Sequence, residues 1–364
     1  MKYLDEFRDK DPFQAILEKI KSIPPQPLSF MEVCGTHTVA ISKSGLRKLL
    51  PGNIRLLSGP GCPVCVTAFE DVDRIIMLAR EVRNDKRFII TSFGDMMRVP
   101  GSHSSLLKEK AKGADIRIVY SPADALTAAR ENPDREVVFF SVGFETTSPT
   151  SAATILHAEK EGLDNFSIIS NNKLIPPAME LLLEDKNTAL DGFLCPGHVS
   201  AIIGTSPYQR LVERYQKGCV VSGFEPLDII LSTYWLLLQK KEKMPRVEIE
   251  YSRVVHAEGN PKALSILYQV FEVADVSWRG FGTIPQSGLV LREKYSRFDA
   301  IKKFGLPTPK VIEPTGCRCG QVLRGIISPK ECPLFARQCT PADPIGACMV
   351  SSEGTCAAYY KYEQ

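Results

Sequence analysis

From Ile54 to about Trp235 the chain repeats one plan: a short β-rich run ends in Gly and polar residues, and a helical pattern follows. The strand candidates are Ile54–Leu57, Phe88–Ser92, Ile116–Tyr120, Val137–Val142, Phe166–Ser170, Gly192–Cys195 and Cys219–Ser222, with Phe30–Val33 ahead of them. The segments between them run to about 15–25 residues, long enough for crossover helices. Strands alternating with helices predict parallel sheets covered on both faces, an α/β fold. Similar strand ends favour two sheets over one: compare Ser58-Gly59-Pro60-Gly61, Ser92-Phe93-Gly94-Asp95, Ser141-Val142-Gly143-Phe144-Glu145 and Ser222-Gly223-Phe224-Glu225-Pro226. In open α/β sheets ligands bind beyond the carboxyl ends of the strands, and these turns would face that crevice.

The expected division is an N-terminal segment over 1–50, a first α/β domain over 51–135, a second over 136–243, and a cysteine-rich region over 244–364. At 364 residues the chain exceeds one compact core. In the last region Val247, Ile249 and Tyr251 alternate like an edge strand, and Pro261–Val270 reads as a helix. Residues 3–23 read as helical, with Pro12 in the first turn of a second helix.

Chemistry concentrates in Ser58–Cys65, S-G-P-G-C-P-V-C, where a strand turns into a helix. Helix-start N–H groups there would favour a thiolate, and a C-x-x-C pair can close into a disulfide. The plainer alternative is half of a zinc knuckle or two buried small residues, and redox or metal-centre chemistry is favoured over it because Gly and Pro expose a turn rather than fill a core. Cys34-Gly35-Thr36-His37-Thr38 is a second strand-end motif, in which Cys34 and His37 flank a turn glycine and could share a metal or a proton. Thr36 or Thr38 is expected to start the helix that follows. The strand-end acids Asp95, Glu145 and Glu225 read either as helix caps or as functional groups of the crevice. Cys195-Pro196-Gly197-His198 is a further such turn, and Cys219 reads as a small core residue. No turn has the spacing of a dinucleotide or phosphate loop, so neither NAD nor ATP is expected.

Eleven cysteines include six between Cys317 and Cys356. From Cys319 they run C-x12-C-x6-C-x16-C through Cys332, Cys339 and Cys356, and four thiolates so gathered suit a 4Fe–4S cluster or an all-thiolate zinc site. The N-terminus is charged throughout, unlike the apolar core of a signal peptide, and Ile229–Leu238 is too short to span a membrane. A cytoplasmic protein is expected, where clustered cysteines are more often ligands than disulfides. The net charge of +3 gives no reason to invoke nucleic acid or a membrane surface.

Together these motifs resemble the NiFe-hydrogenase maturation factor HypD family. The matching residues are Cys34–His37, Gly59–Cys65, Ser92–Gly101, Gly143–Thr147, Cys195–His198, Ser222–Pro226 and the C-terminal cysteines, over nearly the whole chain from about residue 30. The resemblance implies two Rossmann-like α/β domains plus a third that carries a 4Fe–4S cluster. It implies a scaffold on which Fe(CN)2(CO) is assembled, rather than a conventional turnover enzyme. Its partners would be the small chaperone HypC and HypE, which carries a thiocyanate made with HypF. On this resemblance Cys34 would bind the iron with His37 beside it, and Cys62 and Cys65 would be the thiol/disulfide pair. Cys319, Cys332, Cys339 and Cys356 would hold the cluster, with Cys317 the alternative first ligand and Cys348 unassigned. Glu145 and Glu225 would orient cyanide nitrogens or shuttle protons. The competing expectations are a stand-alone oxidoreductase of the ferredoxin–thioredoxin reductase type, using cluster and C-x-x-C alone, and a zinc-stabilised binding protein.

Overall fold

The computed structural model describes residues 10–23, 26–84 and 87–363, without the side chains of 82–84. Leu4 and Phe7 of the expected N-terminal helix lie outside the described residues. The strands are β1 Leu28–Glu32, β2 Ile54–Ser58, β3 Phe88–Ser92, β4 Ile116–Ile118, β5 Glu136–Gly143, β6 Phe166–Lys173, β7 Gly192–Pro196, β8 Gly218–Ser222, β9 Val247–Ile249, β10 Phe271–Trp278 and β11 Gly282–Leu291. They form two sheets, ordered β2-β1-β7-β8-β9 and β10-β11-β6-β5-β3-β4.

The first sheet is parallel throughout, as the alternating pattern predicts. The second is mixed, which corrects the expectation of purely parallel sheets. Its β3 to β6 are parallel, but β11 runs antiparallel to β6, and β10 antiparallel to β11. This hairpin escapes sequence reading because Pro285 and Gly288 punctuate β11 like a loop. The register shifts between Ala274 and Val276, and such an irregularity lets a strand hold a proline.

The chain passes from the first sheet to the second after β2 and back after β6, so the stretches 51–135 and 136–243 each supply strands to both sheets. Burial on both strand faces explains the near-continuous apolar runs. In β5, Val137 and Phe139 pack outward against the helices Pro122–Glu131 and Ser148–Glu161, whereas Val138 and Phe140 pack inward. In β1, Phe30 joins the outer core and Met31 the inner one. The inner core is shared by both sheets and by the C-terminal cysteine region.

That C-terminal region has no sheet of its own among the described residues. Its last helix, Thr355–Tyr362, packs on the helix Gly35–Ser44 that follows β1. Arg47 fastens the contact by stacking on the Tyr359 ring and pairing with Glu363. The N-terminal helix Lys10–Lys21 lies on Pro226–Glu242. No helix of the described residues is long and apolar enough to cross a membrane.

Candidate functional site

Cys34 and His37 sit beyond the carboxyl end of β1, where the α/β rule places ligands. The helix there begins at Gly35, earlier than the expected Thr36 or Thr38, and Cys34 itself is its N-cap. The N–H of Gly35 donates to the Gly61 carbonyl at 2.9 Å, and the N–H of Gly59 to the Glu32 carbonyl at 2.8 Å. The G-P-G turn is thus sewn to the loop that carries Cys34. A Cβ on Gly61 would overlap the Cys34 backbone, so only glycine permits this crossing.

The surroundings of Cys34 are buried and acidic. Burial pushes its thiol up to about 12, and Glu32 and Glu353 add to the effect, while backbone N–H groups of His37 and Thr36 oppose it. Glu32 accepts from the Cys34 N–H at 3.0 Å and from the Thr38 hydroxyl. Desolvation raises its own carboxyl to about 7. Glu353 comes from the far end of the chain: it accepts from Thr36 Oγ1 at 2.7 Å, and a Cβ on Gly35 would lie 2.6 Å from its Cβ. Neither acid is singled out by the sequence, since neither lies in a recognisable turn motif.

His37 is held away from solvent. Its Nε2 lies 2.8 Å from the Gly223 carbonyl, and because a carbonyl only accepts, Nε2 carries the proton. Nδ1 is buried with no hydrogen-bond partner. Burial lowers the imidazole to about 4, so the ring is neutral at ordinary pH. Phe224 stacks between His37 and His198, with centroids 4.8 and 4.0 Å away. The Ser222–Pro226 and Cys195–His198 turns therefore join Cys34-Gly35-Thr36-His37 at one end of the parallel sheet.

The strand-end acids do not share a single place. Glu225 is the N-cap of the helix Pro226–Glu242, its N–H held by Asp228 at 3.0 Å. Glu145 follows β5 of the mixed sheet, is buried, and accepts from the Ile175 N–H at 2.9 Å through Oε1, while Oε2 has no partner. Desolvation raises it to about 7. Asp95 accepts from Ser351 Oγ at 2.7 Å, tying the loop after β3 to the C-terminal region. Cys195 and Cys219 are both fully buried in the core, where burial, with the Cys219 thiol nearby, raises Cys195 well above its ordinary value.

Cys62 and Cys65 stand as free thiols with Sγ atoms 2.7 Å apart. Cys62 caps the one-turn helix Pro63–Val66, and the Cys65 N–H donates to Cys62 Sγ at 3.3 Å. The expected lowering of the thiol pKa does not hold at Cys65. It is wholly buried, and desolvation, with the neighbouring thiols of Cys348 and Cys62, pushes it well above its ordinary value. The helix behind it is one turn long, too short for its dipole to prevail. Nor is the turn exposed, because the C-terminal region covers it.

Cys348, unassigned from sequence, links the two halves of the site. The neighbouring thiols of Cys319, Cys356 and Cys65 favour its thiolate and hold it well below the ordinary range. Beyond it, Cys317, Cys319, Cys332, Cys339 and Cys356 line one small cavity, whose other walls are Val322, Leu334, Phe335, Gly346 and Met349. Cys317 and Cys319 are 3.3 Å apart at sulfur. Neither a carboxylate nor an imidazole reaches this cavity, a donor set that fits a thiolate-bound group. A Cβ on Gly346 would intrude on the sulfurs of Cys319 and Cys317, and the Ile345 N–H donates to Cys339 Sγ at 3.4 Å. Among the described residues no three His, Cys, Asp or Glu converge closely enough for a single metal ion, so the thiols ring the space rather than meet at a point.

The family described as "HypD: Hydrogenase formation hypA family" matches residues 11–363. The chain is 47% identical to a hydrogenase maturation factor HypD2 of Bradyrhizobium diazoefficiens, covering 100% of this chain and 97% of the relative. It is 46% identical to a hydrogenase maturation factor HypD of Rhizobium leguminosarum, over 100% and 96%. A HypD of Cupriavidus necator is 45% identical over 100% and 97%. Extended identity with these relatives, over a chain whose motifs converge on two linked thiol centres, makes this protein a member of the HypD family.

Proposed function

We propose that the protein is a hydrogenase maturation factor that holds Fe(CN)2(CO) as cargo at Cys34 and draws on an internal sulfur chain for electrons. The observation that supports this is the succession of neighbouring thiols Cys62, Cys65, Cys348 and Cys319/Cys356, in which Cys65 Sγ lies 2.7 Å from Cys62 Sγ and 3.9 Å from the Ala347 carbonyl, beginning one residue from Gly61, which touches Cys34. A reductant store beside a cargo ligand suits cyanide transfer. Releasing cyanide from a thiocyanate takes two electrons: R–S–CN and the two thiols of Cys62 and Cys65 give R–SH, cyanide with its proton, and the Cys62–Cys65 disulfide. A second cyanide requires that disulfide to be reduced again.

Cys332, Cys339 and Cys356 would hold a 4Fe–4S cluster with Cys319, or with Cys317 in its place. Such a cluster, when bound, supplies electrons singly. Cys348 then stands where electrons would cross to Cys65. At the cargo end, the thiolate of Cys34 suits a soft low-spin iron. The neutral His37 presents Nδ1 only as an acceptor, and Glu32, poised near neutrality, can hold a proton when cyanide arrives. Glu225 borders the groove beside Thr36 and Phe224, and Glu145 serves the mixed sheet. HypC and HypE, the latter working with HypF, are the partners this reading takes. Eleven free cysteines suit the reducing cytoplasm.

The test is an infrared spectrum of anaerobically purified protein co-expressed with HypC. Cyanide and CO bands that vanish in Cys34→Ala support the assignment. A brown protein without such bands, yet able to reduce disulfides through Cys62 and Cys65, would establish a stand-alone iron–sulfur oxidoreductase instead.

A further inference from the structure

Three lysine or arginine side chains are buried among the described residues: Arg74, Lys173 and Arg279. Arg74 pairs with Asp71, and Lys173 donates to the Ser277 carbonyl with Asp71 and Glu70 nearby. Arg279 differs. No described carboxylate lies within ion-pair distance of it, and its Nη1 is buried without any hydrogen-bond partner. Nε donates to the Thr67 carbonyl at 2.8 Å, Nη2 to the Pro100 carbonyl at 3.3 Å, and the guanidinium lies 3.7 Å from the centre of the Phe69 ring. Neutral carbonyls and an aromatic face orient a cation but leave its charge uncompensated, and a lone buried charge is costly.

Its place explains what compensates it. The Arg279 N–H donates to the Val66 carbonyl at 2.9 Å, fixing it directly after Cys65. On the other side Gly280 abuts Gly320: a Cβ on Gly280 would fall 2.5 Å from the Gly320 Cα, an approach that glycine allows at φ +81. Arg279 is thereby clamped between the residue after Cys65 and the residue after Cys319. Burial draws the guanidinium below its ordinary range, and the sulfurs of Cys319, Cys348, Cys317 and Cys65 are the groups that act against that shift.

We propose that Arg279 is the counter-ion of the sulfur chain, favouring the reduced state of the Cys62–Cys65 pair. Reduction breaks one S–S bond with two electrons, taken from the cluster or from an added dithiol. It leaves two sulfurs: burial keeps a proton on Cys65, and the pair carries negative charge to the extent that a second proton does not follow. A fixed cation in a dry site stabilises that product over the neutral disulfide. The inference rests on the redox reading of the C-P-V-C turn given above.

The test equilibrates the purified cluster-bearing protein, wild type and variants, across ratios of reduced to oxidised dithiothreitol. Maleimide trapping and peptide mass spectrometry then read the state of Cys62 and Cys65. Arg279→Gln should need at least a tenfold higher ratio for half-reduction, and Arg279→Lys, which keeps the charge, should stay within about threefold of wild type. Should the glutamine variant not fold, Nε-acetyllysine at position 279 compared with Arg279→Lys gives the same contrast of charge. Equal half-reduction ratios for the charged and neutral side chains would overturn the proposal. A wild-type pair that never cycles would overturn the redox reading beneath it.

Discussion

Gly61 is pressed on the backbone of Cys34, and its carbonyl takes the N–H of Gly35 at 2.9 Å. One backbone crossing thus joins the end of β1 to the turn after β2, and it places the Cys62–Cys65 pair next to Cys34.

Gly61→Ala should push those two loops apart. Overpacking of this kind costs about 1–3 kcal/mol. The expected outcome is a lowered urea midpoint together with loss of the iron-bound cyanide bands in a protein that still absorbs as an iron–sulfur protein. Unchanged infrared bands would show that the crossing does not position Cys34.

Cys34→Ser tests the softness of the ligand rather than its presence. A serine hydroxyl fits the same space but binds low-spin iron poorly. Cargo retention should fall at least tenfold in metal analysis after gel filtration, with the cluster's visible absorption unchanged.

Cys348→Ser should interrupt the chain at its middle. Cys62 and Cys65 remain 2.7 Å apart and the five cavity thiols stay in place, so both ends keep their components. Stopped-flow reduction of the cluster should then no longer reduce a Cys62–Cys65 disulfide, whereas a soluble dithiol still does.

Buried acids and a buried imidazole set opposite limbs of the stability–pH curve. Glu145 titrates at about 7 when folded, above its ordinary 4.5. Its favourable contribution is complete below about 4.5 and disappears as pH rises through about 7. His37, lowered from 6.5 to about 4, contributes above 6.5 and loses that contribution as pH falls through about 4. Glu145→Gln should flatten the alkaline limb between pH 5 and 8 by on the order of 2 kcal/mol, read from urea midpoints. An unaltered limb would show that Glu145 stays ionised in the fold.

The parallel strands were legible because burial on both faces writes continuous apolar runs, such as Val137–Val142, between glycine-rich ends. The hairpin β10–β11 was not, since Pro285 and Gly288 carry the signature of a loop and only the pairing with β6 reveals a strand. At the site, Cys34, His37 and the C-P-V-C pair announce themselves by residue type in strand-end turns. Glu32 and Glu353 do not, because a carboxylate acquires its meaning here from burial and from a neighbour 317 residues away from Thr36. Cys348 was visible as a residue but not by its place, since no spacing encodes its nearness to Cys65, Cys319 and Cys356. The pKa of Cys65 misled in the other direction: a helix start is visible in sequence, and the segment that buries it is not.

Glu353 lies between Cys348 and Cys356, on the same short stretch that supplies two thiols of the sulfur chain. The carboxylate beside the β1 loop therefore leaves the ribosome 317 residues after Thr36, its hydrogen-bond partner. A nascent or C-terminally clipped chain has the β1 loop and its cysteine but neither the carboxylate against Gly35 nor the thiols behind Cys65. A chain cut ahead of Cys348 thus loses the surroundings of Cys34 and those of Cys65 together.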